Sequence, residues 1–340
     1  VNFTREELIS RHRLSGQQAD VFLGQKIQSA DRGSRLKKLR QLGYLLQLME
    51  EMKSRKLETM VLKGPVLSQK IYGDPFYRTS HDFDLLFHPE DLSSAVQFFK
   101  NKGFKGVKFQ WPSSSKKQKA VMELMNQYFI YNPENQISIE LHWKIFDRRF
   151  TDLAAAEHLA WENSTAVDIN GEKIKTLDGE FELLYLVIHG SLHAWFRLKW
   201  LVDVHQILSQ NSIDADRFKR LTHRLGAENF VAVCNGVLSH VYPKTKLLPC
   251  DNKPSQRLIE EAVYQLERRD NDPFNSFYNT VRQVRYQLGH SGSWKYKIDI
   301  FRTLLFNKRD LDISWLPAGK VTLFIFRPIT FLMRKFGWIA

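Results

Sequence analysis

Between residues 34 and 143 the hydrophobic period changes several times, and that succession restricts the fold more than any other feature of the chain. Residues 34–56 place Leu36, Leu39, Leu42, Leu45, Leu46, Met49 and Met52 at helical spacing behind Ser34, a residue suited to an N-cap. The short apolar stretch MVLKG (60–64) predicts a strand that breaks at Gly64-Pro65. Pro65 suits the first turn of a helix, PVLSQKIY, because that position needs no amide hydrogen. A turn-rich segment, GDPFYRTS (73–80), precedes DFDLLF, which reads as a buried strand. PEDLSSAVQFFKNKG (89–103) reads as a helix with Pro89 near its start and Gly103 past its end. NQYFIY (126–131) and ISIELHW (137–143) read as two strands joined by the turn NPENQ. Helix, strand, helix, strand, helix and hairpin predict an α+β fold, a mixed sheet flanked by helices.

After Asp178 the pattern changes. EFELLYLVIHGSLHAWFRLKWLVDVHQILSQ (180–210) is one long or broken helical pattern, and helical periodicity continues to about residue 310. SSSKK (113–117) reads as a surface loop, and residues 242–256 as a link between two helical parts. The expected organisation is an N-terminal helical extension (1–57), a core (58–178) and a mainly helical C-terminal domain (179–340).

DFDLLF also carries the first chemical signal. Asp82 and Asp84 are two apart, so on a strand they point to one face while Phe83 faces the other. A bare charge in an apolar strand is costly, and two like charges that close repel unless a cation sits between them. Oxygen ligands without a His/Cys cage suit Mg²⁺, which also favours phosphate oxygens. Glu140 is a third acid inside an apolar strand; with ISIELHW beside DFDLLF, the three acids would form a two-metal site. The plain alternative is a solvated strand end, and the chain repeats the spacing at Asp310 and Asp312 in KRDLDISWLP with no upstream Gly motif.

The wider context is more specific. LKGPVLSQKIYGDPFYRTSHDFDLLF, followed by IELHW, resembles the poorly characterised nucleotidyltransferases of the DNA polymerase beta superfamily. The shared order is Lys-Gly, Tyr-Gly-Asp-Pro, Arg, Asp-x-Asp and Glu-x-His-Trp over residues 58–145, with a looser His, Trp, Lys and Asp pattern at 189–203. The resemblance implies a polymerase-beta-like core that moves an NMP group from an NTP such as ATP to an acceptor, releasing pyrophosphate. It implies two Mg²⁺ ions on Asp82, Asp84 and Glu140, one holding the triphosphate and one activating the acceptor hydroxyl. Gly64 would let backbone amides approach phosphate. Pro65 stands where a second Gly or a Ser is usual and has no N–H to offer, and the gap to Asp82 is longer than usual. Lys63 and Ser68 are the residues placed to compensate. The same resemblance gives Lys199, with His193 and Arg197 behind it, as a phosphate contact and Asp203 as the group positioning Lys199.

Other readings stay open residue by residue. Arg78 either meets a phosphate or holds the turn through Asp74, and His81 shapes the strand entry. His142 shares a strand face with Glu140 and either orients it or is a satisfied structural histidine. His189 and His193 have the i, i+4 spacing of a zinc pair, but HExxH is absent and the cysteines are remote, so zinc is not expected. Trp195 and Trp200 read as core.

With 50 Lys and Arg against 37 Asp and Glu, the formal charge of +13 suits nucleotides, nucleic acid or an anionic membrane surface. Two alternatives to the enzyme therefore remain: a catalytically inactive nucleotide-binding regulator, and a basic module for nucleic acid or membrane. Cys234 and Cys250 make no disulfide framework, and the first residues hold no apolar signal core, so a cytoplasmic location is expected. VTLFIF (321–326) is too short to span a bilayer. The basic aromatic end FRPITFLMRKFGWIA (326–340) fits a terminal helix on its own domain better than peripheral membrane contact. Basic residues are scattered, with no RNA-binding motif; the acceptor is a small molecule, a protein side chain or an RNA end.

Overall fold

A computed structural model describes residues 2–27, 32–146, 153–210, 212–269 and 277–305, together with 325, 326, 329, 330 and 333. Asp310 and Asp312, and most of the basic C-terminal segment, lie outside the described residues.

In chain order, helices α1 (Arg5–Ser10), α2 (Gly16–Phe22) and α3 (Arg32–Ser54) precede strand β1 (Thr59–Val61) and helix α4 (Pro65–Tyr72). Then come β2 (Phe83–Phe87), α5 (Leu92–Asn101), β3 (Lys105–Gly106), α6 (Ser115–Leu124), β4 (Gln127–Asn132) and β5 (Ile137–His142). A helix, α7 (Leu153–Glu162), and a hairpin, β6 (Ser164–Ile169) and β7 (Glu172–Leu177), lead to α8 (Gly179–Leu192) and α9 (Leu198–Gln210). The series ends with α10 (Ala215–Leu225), α11 (Glu228–Val241), α12 (Gln256–Glu267), α13 (Phe277–Leu288) and α14 (Trp294–Leu305).

The chain divides into two compact units. One comprises Val1–Leu42, Lys63–Ser80 and Ala154–Ser293; the other comprises Gly43–Leu62, His81–Leu153 and Trp294–Ala340.

The second unit is built on a five-stranded mixed sheet in the order β1-β2-β5-β4-β3. β2 pairs parallel with β5, and every other neighbouring pair is antiparallel. The sheet is flanked by helices, the α+β arrangement expected from the alternating periods. Alternation decides its faces. Tyr128, Ile130, Ile137, Ile139 and Leu141 are buried on one face, whereas Gln127, Phe129, Ser138 and Glu140 on the other are half-buried. α5 covers the core with Phe98 and Phe99, and Phe99 meets Phe87 and Phe104 edge-on. Asn132 closes the β4–β5 turn by accepting from the amides of Glu134 and Asn135. The SSSKK loop is shorter than its polarity implied. Ser114 is the N-cap and α6 begins at Ser115, with the lysines on its wet face while Ala120, Val121 and Leu124 pack inward.

In the first unit α8 is apolar on nearly every side and packs against α9, α10 and α11 as the central helix. Asp178 caps its start by accepting from Phe181 N, and Gln283 and Gln287 of α13 donate to the Leu192 carbonyl at its end. The 180–210 pattern is broken, not continuous: Ala194 and Trp195 both have positive φ, 50° and 53°. A bulky residue adopts that conformation only where its surroundings insist. Trp195 is fully buried against Gly190, where a Cβ would come within 2.4 Å of the indole. The buried Arg11 guanidinium donates to the Gln265 and Leu266 carbonyls at the end of α12, satisfying groups a helix terminus leaves open. Among the described residues no helix is long and apolar enough to cross a membrane.

Candidate metal centre

The parallel β2–β5 register sets Asp84 directly beside Glu140 and Leu86 beside His142. Paired residues in register share a face, so both acids and the imidazole of His142 come to one place. His142 Nε2 lies 3.2 Å from Asp84 Oδ1 and 3.4 Å from Glu140 Oε2. Carboxylates only accept, so Nε2 carries a proton and donates to Asp84. One ligand atom from each of the three residues lies within 4.8 Å of the other two, a group that can hold a metal ion.

Asp84 is buried and Glu140 half-buried, so the group opens at Glu140. Burial penalises a charged His142, but the hydrogen bonds and charges of Asp84 and Glu140 outweigh it and lift the imidazole to about 9. The protein therefore places an imidazolium between two carboxylates. Its second proton, on Nδ1, is buried without a hydrogen-bond partner, so the carboxylates alone support that charge.

This donor set fits a divalent cation. Carboxylates suit Mg²⁺, and the imidazole extends the range toward Mn²⁺. A cation held by all three groups must displace the Nε2 proton. Asp82, by contrast, is not in the three-residue group; it lies half-buried one residue before β2. His142 is the residue whose part in the group the sequence understated. The signal was present, since Glu140 and His142 alternate on one strand face.

The remaining candidates lie in the first unit. Gly64, at φ 71° and ψ −137°, enters α4 in a conformation open to glycine, Pro65 takes the first position, and the helix has no side-chain cap. Ser68 is fully buried and engaged on both sides: its hydroxyl donates to the Asp74 carbonyl at 2.6 Å and accepts from Arg78 N at 3.0 Å. Asp74 itself accepts from Phe76 N, so Asp74 and Ser68 together shape the 73–78 turn.

Arg78 pairs with a residue the sequence did not suggest for it. Its Nε donates to both oxygens of Asp203, 3.0 and 2.8 Å away, in a pair with both side chains buried. Burial raises the Asp203 carboxyl above its ordinary value, against the opposing charges of Arg78, Lys199 and Lys63. Lys199 is half-buried and donates to the Thr79 carbonyl at 3.3 Å. His193 stacks on Trp200 with centroids 5.1 Å apart, next to His189 at 4.9 Å, and Lys63 lies 6.0 Å from the Tyr185 ring centroid. A further pair, half-buried Lys70 with buried Glu182 at 2.7 Å, went unnoticed in the sequence. Burial lifts Glu182 to about 7 despite Lys70. Its signal was an acid within the apolar α8 pattern, the same kind that marked Asp84.

The sequence model of the uncharacterised nucleotidyltransferases matches residues 9–243, well over half of the chain. The chain belongs to this family. No curated protein matches the sequence. This family member is similar to an antigenic nucleotidyltransferase-like protein from Paracoccidioides brasiliensis, at 17% identity and a TM-score of 0.37, over 63% of this chain and 94% of that one. It is also similar to the antibiotic-resistance factor ANT(2'')-Ia, at 10% identity and a TM-score of 0.36, over 53% of this chain and 90% of that one.

Proposed function

We propose that this family member transfers a nucleotidyl group from an NTP to an acceptor hydroxyl in a Mg²⁺-dependent reaction that releases pyrophosphate. The observation that carries the reading is the convergence of Asp84, Glu140 and His142 at a half-open face of the sheet, in a chain of a nucleotidyltransferase family. Asp84, Glu140 and His142, joined by Asp82 at the entry to β2, are the residues that would hold the metal. When bound, Mg²⁺ supplies positive charge for the phosphates and acidifies the acceptor hydroxyl. Glu140, the more open of the acids, takes the hydroxyl proton; before a metal binds, the protonated His142 holds Asp84 and Glu140 in place. The acceptor oxygen forms a bond to the α-phosphorus, and the bond from that phosphorus to pyrophosphate breaks on the opposite side. Lys63 and Lys199 are the cations proposed to meet phosphate, with Gly64 and His193 beside them in the same unit; Arg78 and Asp203 serve by fixing the 78–79 turn that Lys199 contacts.

Incubation with each labelled NTP, Mg²⁺ and a panel of acceptors tests this. Label should move to an acceptor with the native chain and not with Asp84→Asn or Glu140→Gln. Undiminished transfer by either variant would remove the assignment. A second reading, an inactive nucleotide-binding regulator, is favoured by the position of Asp82 outside the three-residue group. It predicts that NTP raises the melting temperature while no acceptor is ever labelled.

A further inference from the structure

Helices α12 and α13 enclose a cleft of about 220 Å³ whose charge is unbalanced. Three arginines line it, Arg257, Arg282 and Arg285, against one acid, Glu261. Glu261 is already engaged, because Arg282 donates to both its oxygens at 3.0 and 2.5 Å. Arg282 is further fixed by its guanidinium 3.7 Å from the centroid of Tyr264 and by donation to the Tyr278 hydroxyl at 3.1 Å. Arg257 and Arg285 are exposed and carry no ion pair among the described residues. Beside them Tyr278 is 63% exposed, and Tyr264, with Arg282 over one face of its ring, is 40% exposed.

Two guanidiniums without an ion pair among the described residues, a third held between aromatic rings, and the exposed Tyr278 make a defined chemical demand. The guanidinium fork matches phosphate oxygens, and an open tyrosine face accepts a nucleobase. We propose that the α12–α13 cleft binds single-stranded RNA, its backbone phosphates on Arg257 and Arg285 and a base stacked on Tyr278. A phosphorylated peptide would satisfy the arginines but leave the exposed Tyr278 ring unused. The overall surplus of +13 favours the same polyanion at longer range.

The test is fluorescence anisotropy of an end-labelled single-stranded RNA dodecamer with the full chain, at about 50 to about 200 mM salt. Saturable binding that weakens with salt is expected. The charge reversal Arg257→Glu with Arg285→Glu should weaken it at least about tenfold and reduce the slope of log K against log salt by about 1.4, two phosphate contacts' worth. Tyr278→Ala should weaken it about fivefold or more and leave the slope unchanged. All three side chains are exposed, so circular dichroism should match the native chain. Absence of saturable binding by the native chain, or variants that bind like it, would overturn the proposal. So would a phosphotyrosine peptide that binds more tightly than the RNA and is lost in the same variants.

Discussion

Asp203→Asn removes the carboxylate from the most deeply buried ion pair near the candidate phosphate residues. Arg78 and Asp203 are 3% and 0% exposed at their side chains, so neither charge can turn to water. Breaking a buried pair costs roughly 3–5 kcal/mol, because the surviving charge is left without a counter-charge. The two halves of this pair are unequal. Arginine cannot shed its proton, and Lys199 and Lys63 add positive charge toward the same carboxylate, so without Asp203 the cations lose the carboxylate they share. In Arg78→Met the stranded Asp203 has an exit: burial already raises its pKa, and it can take up a proton. Asp203→Asn should therefore lie within that range and Arg78→Met below it. Arg78→Met combined with Asp203→Leu should cost less than Asp203→Asn alone, since no buried charge remains. Urea unfolding at neutral pH gives all three values. Single variants within about 0.5 kcal/mol of the native chain, or strictly additive costs, would refute the reasoning.

His142 gives a pH signature in the metal-free protein: its folded pKa, about 9, lies above the ordinary 6.5, so the fold binds this proton more tightly than the unfolded chain. That stability, about 3 kcal/mol at most, is complete below pH 6.5 and lost as pH rises through 9, and urea midpoints at several pH values should show the fall in the native chain but not in His142→Gln. Glu182 acts over a lower window: its folded pKa of about 7 exceeds the ordinary 4.5, so its contribution is greatest below 4.5 and declines as pH rises through 7, a decline that Glu182→Gln should abolish in the same titration. Gly190→Ala forces a methyl to within 2.4 Å of the Trp195 ring and should cost roughly 1–3 kcal/mol by thermal melting, with the near-ultraviolet dichroism of tryptophan altered.

Local patterns made the sheet legible. Pro65 and Gly73 bracket α4, and the apolar runs around Asp84 and Glu140 mark β2 and β5. The pairing of those strands, on which the metal centre depends, was visible only as a condition. The β6–β7 hairpin was missed although Asn170-Gly171, both at positive φ, is a strong turn dipeptide; β6 is mostly open and both strands are rich in charged and polar residues, so they carry little apolar signal. The α8–α9 break could not be read locally, because neither Ala194 nor Trp195 breaks helices and the turn depends on where the indole packs. Arg78 and Asp203 are 125 residues apart, and no local period brings such residues together.

The proposed metal centre requires that Asp84, Glu140 and His142 hold a divalent cation. Calorimetric titration of Mn²⁺ and of Mg²⁺ with a non-hydrolysable NTP, at pH 7.5 in two buffers of different ionisation enthalpy, measures both affinity and proton release. The native chain should bind the metal and release about one proton per ion, because His142 is protonated at that pH. Asp84→Asn should bind at least about tenfold more weakly, and His142→Gln should bind without releasing that proton. Metal affinity unchanged by Asp84→Asn and by Glu140→Gln would contradict the assignment outright.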